Sequence, residues 1–489
     1  MELAAIERQI FARRPEHSID PSLDRIIALT SLLGDPQRAY PVVHITGTNG
    51  KTSTARMTET LLRVRGLRTG LFTSPHLTSI RERICVDGQP LSPERFVEVY
   101  REIEPYLRLV DAQQPVKLSF FEVLTGMAFA AFADAPVDVA VIEVGMGGTW
   151  DSTNVADGAV AVVTPVSIDH AQYLGHTVGA IAADKAGIIK PGAVTVLGQQ
   201  PVDAAAELMR QAVKVGASVA REGIEFGVLS RELAVGGQRL SIRGLLGEYH
   251  DLFLPLFGAY QAGNAACALA AVEAFSGAAG SPSLMSAEED GEAASGGTSG
   301  PAPAVAEHGG GLDADLVATA FAMMSSPGRL EIVRRSPLVL ADAGHNPAGM
   351  AATADALTES FGPAEVVAVV AVSADKDVVG ILDALEPIAA AIVLTTNSSP
   401  RAMPATELAE HARSVFGPDR VHVAERLDDA IEVAVGLADE AASQIGGALA
   451  GLVAGDADSP ASAGILVLVT GSVVTAGDAK LLLSGGGTQ

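Results

Sequence analysis

Short apolar runs rich in Val, Ile and Ala alternate along this chain with longer stretches whose apolar residues recur every three or four positions. "PVVHI" (41–45), "LFTSP" (71–75), "DVAVIEV" (138–144), "AVAVVTPV" (159–166) and "AVTVLG" (193–198) read as buried strands. Between the first two, "TSTARMTETLLRVRG" (52–66) spaces Met57, Leu61 and Val64 at helical intervals. This rhythm predicts an α/β fold with a largely parallel sheet. It breaks at 281–311, a Ser-, Gly-, Ala-, Pro- and Glu-rich stretch without periodicity, which reads as a disordered insert. It then restarts, with strands expected at 337–344, 365–373, 391–397, 420–424 and 464–472. The pattern predicts two domains, 1–325 and a smaller doubly wound one at 326–489, with no solenoid repeat.

Composition narrows the function. Hydrophobic residues make up 48% of the 489 positions and aromatics only 4%, so Ala, Val, Leu and Ile must fill the core. A formal net charge of −25 argues against nucleic-acid and anionic-membrane partners, whose phosphates need Lys and Arg. It does not exclude a small anionic substrate held in a locally positive site. The two cysteines, Cys85 and Cys267, have neither disulfide-framework nor metal-site spacing and read as buried thiols. The N-terminal stretch lacks a signal-peptide apolar region, and no run of about 18 apolar residues occurs, so a cytoplasmic protein is expected.

The chemistry begins at "HITGTNGKTSTARM" (44–57). Glycines and a lysine between a strand and a helix suit a phosphate cradle: backbone N–H groups, the helix dipole and the ammonium all face the anion. Ile45 stands where the general pattern wants its first glycine, so the loop is the tighter G-T-N-G-K-T. Asn49 is expected to take a left-handed conformation there. Lys51 should reach the β/γ-phosphates, with the Thr52 hydroxyl on the metal side.

Ligands of open α/β sheets bind beyond the carboxyl ends of the strands. Three groups fall there: Ser74 and His76 in "TSPHL", Glu143 before a Gly-rich turn, and Asp169 with His170 in "VSIDHAQYLG". A Glu, a His and a hydroxyl together suit Mg²⁺ shared with phosphate oxygens. Singly, each has a structural alternative: a turn cap, a lysine partner or a helix cap. "HTVGAIAADKAGIIKPG" (176–192) reads as a helix capped by Thr177, with Lys185 near an end marked by Gly187 and Pro191.

As an ordered set, "TGTNGKTS", "TSPHL", "RERI", "EVGMGGTWDSTNV", "IDHAQYLG", "DKAGIIKPG", "FGAYQAGNAACAL", "PGRLE" and "DAGHNPAG" resemble the folylpolyglutamate synthase/dihydrofolate synthase family, a branch of the Mur ligase superfamily. The resemblance runs from about residue 40 to the C-terminus, outside 281–311. It implies a P-loop-containing Mur-ligase-like central domain and a Rossmann-like C-terminal domain. It also implies ATP-dependent addition of L-glutamate to dihydropteroate or to the γ-carboxyl of a folate glutamate, in folate biosynthesis and one-carbon metabolism.

By resemblance Asn49, Gly50, Lys51 and Thr52 bind ATP phosphates, and Ser74, Glu143 and His170 hold Mg²⁺. Lys185 matches a lysine that becomes N6-carboxylated, its carbamate serving a second Mg²⁺. Asn264, Arg329 and Asp342 would contact the nucleotide, with His345 assisting catalysis. The pterin pocket would use Ser119, Phe120, Phe121, Glu122, Trp150, Asp151 and Ser152. The sequence departs from the family at Thr149-Trp150, where Arg-Leu is frequent, and at Ala343-Gly344, where the order is reversed.

Peptidoglycan Mur ligases carry an extra N-terminal domain, for which the 46 residues before Gly47 are too few. A P-loop switch or an inactive nucleotide-binding module is disfavoured by the combined Lys51, Ser74, Glu143, His170 and Lys185. A monomer is expected.

Overall fold

The computed structural model describes residues 2–15, 18, 20–279, 311–362, 365–449 and 464–484. The expected insert therefore lies outside the described residues, apart from Gly311.

The first sheet contains β1 (Val42–Thr46), β2 (Thr69–Phe72), β3 (Ile84–Val86), β4 (Gln89–Pro90), β5 (Val139–Glu143), β6 (Gly158–Val163), β7 (Val194–Leu197) and β8 (Ser218–Arg221). Their order is β4-β3-β2-β5-β1-β6-β7-β8. All pairings are parallel except β2–β3 and β3–β4. β1 and β5 are buried throughout, as continuous apolar runs in a sheet covered on both faces should be.

One face is covered by helices Pro93–Gln113 and Phe120–Asp134. The other is covered by Lys51–Val64 and Ala259–Ala279. The last helix is mostly small residues and packs tightly: a Cβ on Gly50 would come within 2.3 Å of its Asn264 Oδ1. Beside it lies an antiparallel sheet ordered β11-β10-β9, with β9 at Gly227–Ala234, β10 at Gly237–Arg243 and β11 at Glu248–Leu254.

A second lobe is built on β12 (Glu331–Arg335), β13 (Leu338–Ala341), β14 (Val366–Val370), β15 (Ala389–Thr396), β16 (Val421–Arg426) and β17 (Leu466–Thr470). The order is β12-β13-β17-β14-β15-β16, parallel except for β12 against β13. The five strands expected there are all present, and β12 is an additional one.

The expected helix over 176–192 is shorter than its pattern. It runs Val178–Lys185, with the Thr177 side chain accepting from Ala180 N, and tightens into a 3-10 turn at Ala186–Ile188. Gly187 sits in that turn because a Cβ there would collide with Thr149.

Candidate active site

The glycine loop leaves the C-terminal end of β1 at the point where the strand order reverses, between β5 and β6. Gly47 has φ +147° and Gly50 φ +88°. A Cβ on Gly47 would lie 1.8 Å from Thr164 Oγ1, so the loop can press against the end of β6 only with glycine there. Thr164 Oγ1 in turn donates to the Asn49 carbonyl at 2.7 Å. Asn49 itself has no positive φ, contrary to the expectation, because the two glycines take the left-handed turns. The helix that follows has Gly50 as its N-cap and no capping side chain. Its first N–H groups are thus left without a side-chain cap, as an anion cradle requires.

Lys51 Nζ donates to the carbonyls of Gly47 (3.1 Å) and Thr48 (3.0 Å). Burial lowers its pKa, and Glu143 and Asp169 oppose that shift. Glu143, at the end of β5, accepts from Thr52 Oγ1 at 2.8 Å and from Ser74 N at 3.1 Å. Burial raises its pKa, and Lys51 and those two hydrogen bonds work against the rise. Ser74, Glu143, Thr52 and Lys51 are therefore brought together, as the sequence suggested. Arg329 lies close enough to perturb both Lys51 and Glu143.

Lys185 is 4% exposed and donates to the Gly47 carbonyl at 2.7 Å. Burial, then the charge of Lys51, brings its pKa down to about 7. It reaches this position because Gly148 lets the Gly-rich turn after β5 pack on the Lys185 backbone, where a Cβ would meet the carbonyl at 2.7 Å. His170 has φ +50° and starts a four-residue helix without capping it through its side chain. Burial, with Lys376 and Lys51 nearby, lowers its pKa to about 4 despite Asp169, so its imidazole is neutral near pH 7.

The second lobe closes over this centre. Asp169 Oδ1 accepts from Lys376 Nζ at 2.8 Å, and its Oδ2 accepts from Asn346 Nδ2 at 3.1 Å and lies 3.6 Å from His345 Nε2. Burial alone would raise the Asp169 pKa, but His345, His170 and Lys376 carry it well below the usual carboxylate range. The His345 ring bonds the Ala343 carbonyl through Nδ1 at 3.0 Å; a carbonyl only accepts, so Nδ1 carries a proton. Asp342 is buried and accepts from Leu330 N (3.0 Å), Gly344 N (2.8 Å) and Thr353 Oγ1 (2.9 Å). Its carboxylate thus holds the Arg329 and His345 loops together. Neither Ala343 nor Gly344 has a positive φ, so the dihedrals at these two positions do not demand glycine.

A cavity of about 320 Å³ lies between the lobes. Ser119, Phe121, Glu122, Trp150, Asp151 and Ser152 line it together with Ser74, His170 and His345. Phe120 is the exception: its ring is buried, stacked 5.4 Å from Phe11 with the Arg83 guanidinium 5.0 Å from its centroid, so it packs into the helical layer and not into the cavity. Ser119 and Glu122 form a capping box, and Glu122 Oε1 also accepts from Arg25 Nε at 2.9 Å. Asp151 is likewise committed, accepting from Met146 N and Thr153 N at 3.0 and 2.9 Å. These three polar residues shape the wall with their hydrogen bonds already made.

Asn346 and Lys376 belong to the site without a sequence signal of their own. Asn346 lies inside "DAGHNPAG", and Lys376 follows a β-rich run, a position that could have flagged it.

A phosphate loop at a sheet's switch point, roofed by a second α/β lobe, defines an ATP-dependent amide-forming ligase of the Mur type: residues 45–272 match the Mur ligase middle domain and residues 328–444 the Mur ligase, glutamate ligase domain. The chain is 49% identical to the dihydrofolate synthase/folylpolyglutamate synthase of Mycobacterium tuberculosis, over 98% of this chain and 93% of that one. It superposes on M. tuberculosis folylpolyglutamate synthase complexed with ADP with a TM-score of 0.86, at 48% identity and covering 100% and 99% of the two chains. Escherichia coli FolC in complex with DHPP and ADP is also similar, with a TM-score of 0.77 at 26% identity and coverage of 99% and 98%. The chain belongs to the dihydrofolate synthase/folylpolyglutamate synthase family of ATP-dependent glutamate ligases.

Proposed function

We propose that this chain joins L-glutamate to dihydropteroate, to the γ-carboxyl of a folate glutamate, or to both, through an acyl phosphate. The observation that carries this reading is the shared cleft: the uncapped helix start with Lys51 on one side, and the 320 Å³ cavity lined by Phe121 and Trp150 on the other. In this reading residues 1–325 form the ATP-binding domain and residues 326–489 the ligase domain.

A carboxylate resists attack by an amine because of its charge; phosphorylation supplies a leaving group. Phosphoryl transfer asks mainly for positioning and neutralised charge. Asn49, Gly50, Lys51 and Thr52 hold the phosphates, and Asn264, Arg329 and the Asp342-braced loops flank the nucleotide. Phe121 and Trp150 would pack against the pterin and its benzoyl extension. With Nδ1 donating to the Ala343 carbonyl and Nε2 on the cleft side near Asp169, His345 is placed to take the proton from the glutamate amine. Closure of the second lobe would keep water from the acyl phosphate.

The donor set fits Mg²⁺. Glu143 is a buried carboxylate that accepts from the Thr52 hydroxyl and from the Ser74 backbone N–H, and His170 is neutral. Among the described residues no three His, Cys, Asp or Glu side chains form a cluster able to hold a metal, so phosphate oxygens and water would complete its shell. Lys185 fits carboxylation, because a pKa near 7 leaves free amine available at neutral pH. Its carbamate would offer oxygen ligands for a second ion. Bound Mg²⁺ would supply charge neutralisation at the transferred phosphoryl group.

The test is purified protein with ATP and glutamate plus dihydropteroate or tetrahydrofolate, products read by mass. Glutamate addition to at least one acceptor is expected, with phosphate release requiring both acceptor and glutamate. ATP hydrolysis indifferent to both substrates would favour a P-loop switch instead.

A further inference from the structure

Asn346 makes a set of contacts that its place in the second lobe does not require. It is 3% exposed. Its Oδ1 caps the helix Pro347–Phe361 by accepting from Gly349 N at 2.7 Å. Its Nδ2 points across the cleft, 3.1 Å from Asn49 Oδ1 in the phosphate loop and 3.1 Å from Asp169 Oδ2. Asn49 Nδ2 returns a longer bond, 3.4 Å, to Asn346 Oδ1. One amide therefore starts a second-lobe helix and grips the first lobe at two points 120 residues apart in sequence (169 − 49).

Both first-lobe partners are functionally placed. Asn49 sits between the two glycines of the cradle, its backbone held by Thr164. Asp169 is the acceptor on which Lys376 and His345 converge from the second lobe. A capping role explains only the bond to Gly349; Asp or Ser would serve there equally well. Two of the three cross-cleft bonds, including the one to Asp169, need a donor on residue 346, which an amide has and a carboxylate lacks.

We propose that Asn346 is a positioning residue that couples the filled phosphate loop to closure of the second lobe, setting His345 and Lys376 over the acyl phosphate. The inference rests on the ligase reading of the cleft. Without this link, nucleotide can still bind and phosphorylate the acceptor, but the second lobe is no longer registered on the loop. The acyl phosphate is then left open to water.

Asn346→Asp separates the two roles, because it keeps the cap and removes the donor. The expected result is a melting temperature and ADP affinity close to the parent's. Turnover to the glutamyl product should fall at least about 30-fold, and more ATP should be consumed per product formed. Asp169→Asn added to this variant restores a donor facing the new carboxylate while leaving an oxygen for Lys376; it should recover the ADP-induced hydrogen-exchange protection of residues 345–349 that Asn346→Asp loses, but not turnover, because His345 then lacks its carboxylate partner.

Parent-like coupling in Asn346→Asp would overturn the proposal. So would an equal loss of ADP binding and thermal stability that the double variant does not repair, because that marks a purely structural residue. If the parent itself makes no glutamyl product, the ligase reading fails instead, and the two failures are distinct.

Discussion

Lys51 and Lys185 donate to the same atom, the carbonyl oxygen of Gly47, at 3.1 and 2.7 Å. Two ammonium groups on one carbonyl, that of Lys185 buried and that of Lys51 half-buried, repel each other, and the charge of Lys51 contributes to lowering the pKa of Lys185. The pair is relieved when phosphate draws Lys51 away or when Lys185 gives up its proton.

Lys51→Ala removes the loop's own cation. Loss of at least about 100-fold in glutamyl product is expected, comparable to deleting a principal charge-stabilising donor. Mass-resolved product formation checks it; near-normal turnover would remove Lys51 from the assigned role.

Lys185→Arg keeps a cation and cannot form a carbamate. Turnover should fall by a similar factor, about 100-fold. The parent's intact mass should include one additional CO₂ under native conditions, and activity lost after acid decarboxylation should return with bicarbonate. Recovery should be faster at pH 8 than at pH 6, because free amine predominates above a pKa of about 7.

Gly47→Ala asks a residue with a Cβ to hold φ +147° against Thr164. The strain should cost about 1–3 kcal/mol of stability and weaken ADP binding, read by denaturant titration and calorimetry. Gly66→Ala provides the contrast: its φ is +90°, but no atom lies within 4 Å of the added Cβ. It should lose stability while retaining ADP affinity.

His44 in β1 is fully buried, its Nε2 2.9 Å from Thr153 Oγ1. Burial, aided by Lys190, lowers its pKa to about 3. The unfolded chain takes up this proton below about pH 6.5, whereas the folded chain resists it. The folded state should therefore lose stability as pH falls from about 6.5 towards 3, by about 1.4 kcal/mol per pH unit at most from this group. Urea melts at pH 7 and 4.5 should show a smaller difference for His44→Gln than for the parent.

The sequence exposed what is contiguous or strongly patterned. The phosphate loop is one short segment, and β1, β5, β14 and β17 are apolar runs buried on both faces. The β9–β11 sheet escaped notice because it is half exposed: in β9 only Gly227 is buried, and Leu229 and Leu233 face outward, so alternation is weak. Asn346 and Lys376 meet Asp169 from 177 and 207 positions away. No local pattern encodes such a meeting; it exists only once both lobes are folded and apposed. Phe120 lies outside the cavity lining for a related reason, since a motif names neighbours without saying which of them points inward.

β17 joins the second sheet last in chain order yet lies at its centre, hydrogen-bonded to β13 and β14. During synthesis the ribosome has delivered every other strand of that sheet before this one emerges. Until residues 466–470 arrive, β13 and β14 present two apolar edges with no partner between them. The first lobe can fold early, while the second must wait for nearly its whole length. A nascent chain stalled short of β17 should be bound by chaperones and prone to aggregate, although its nucleotide loop is already formed.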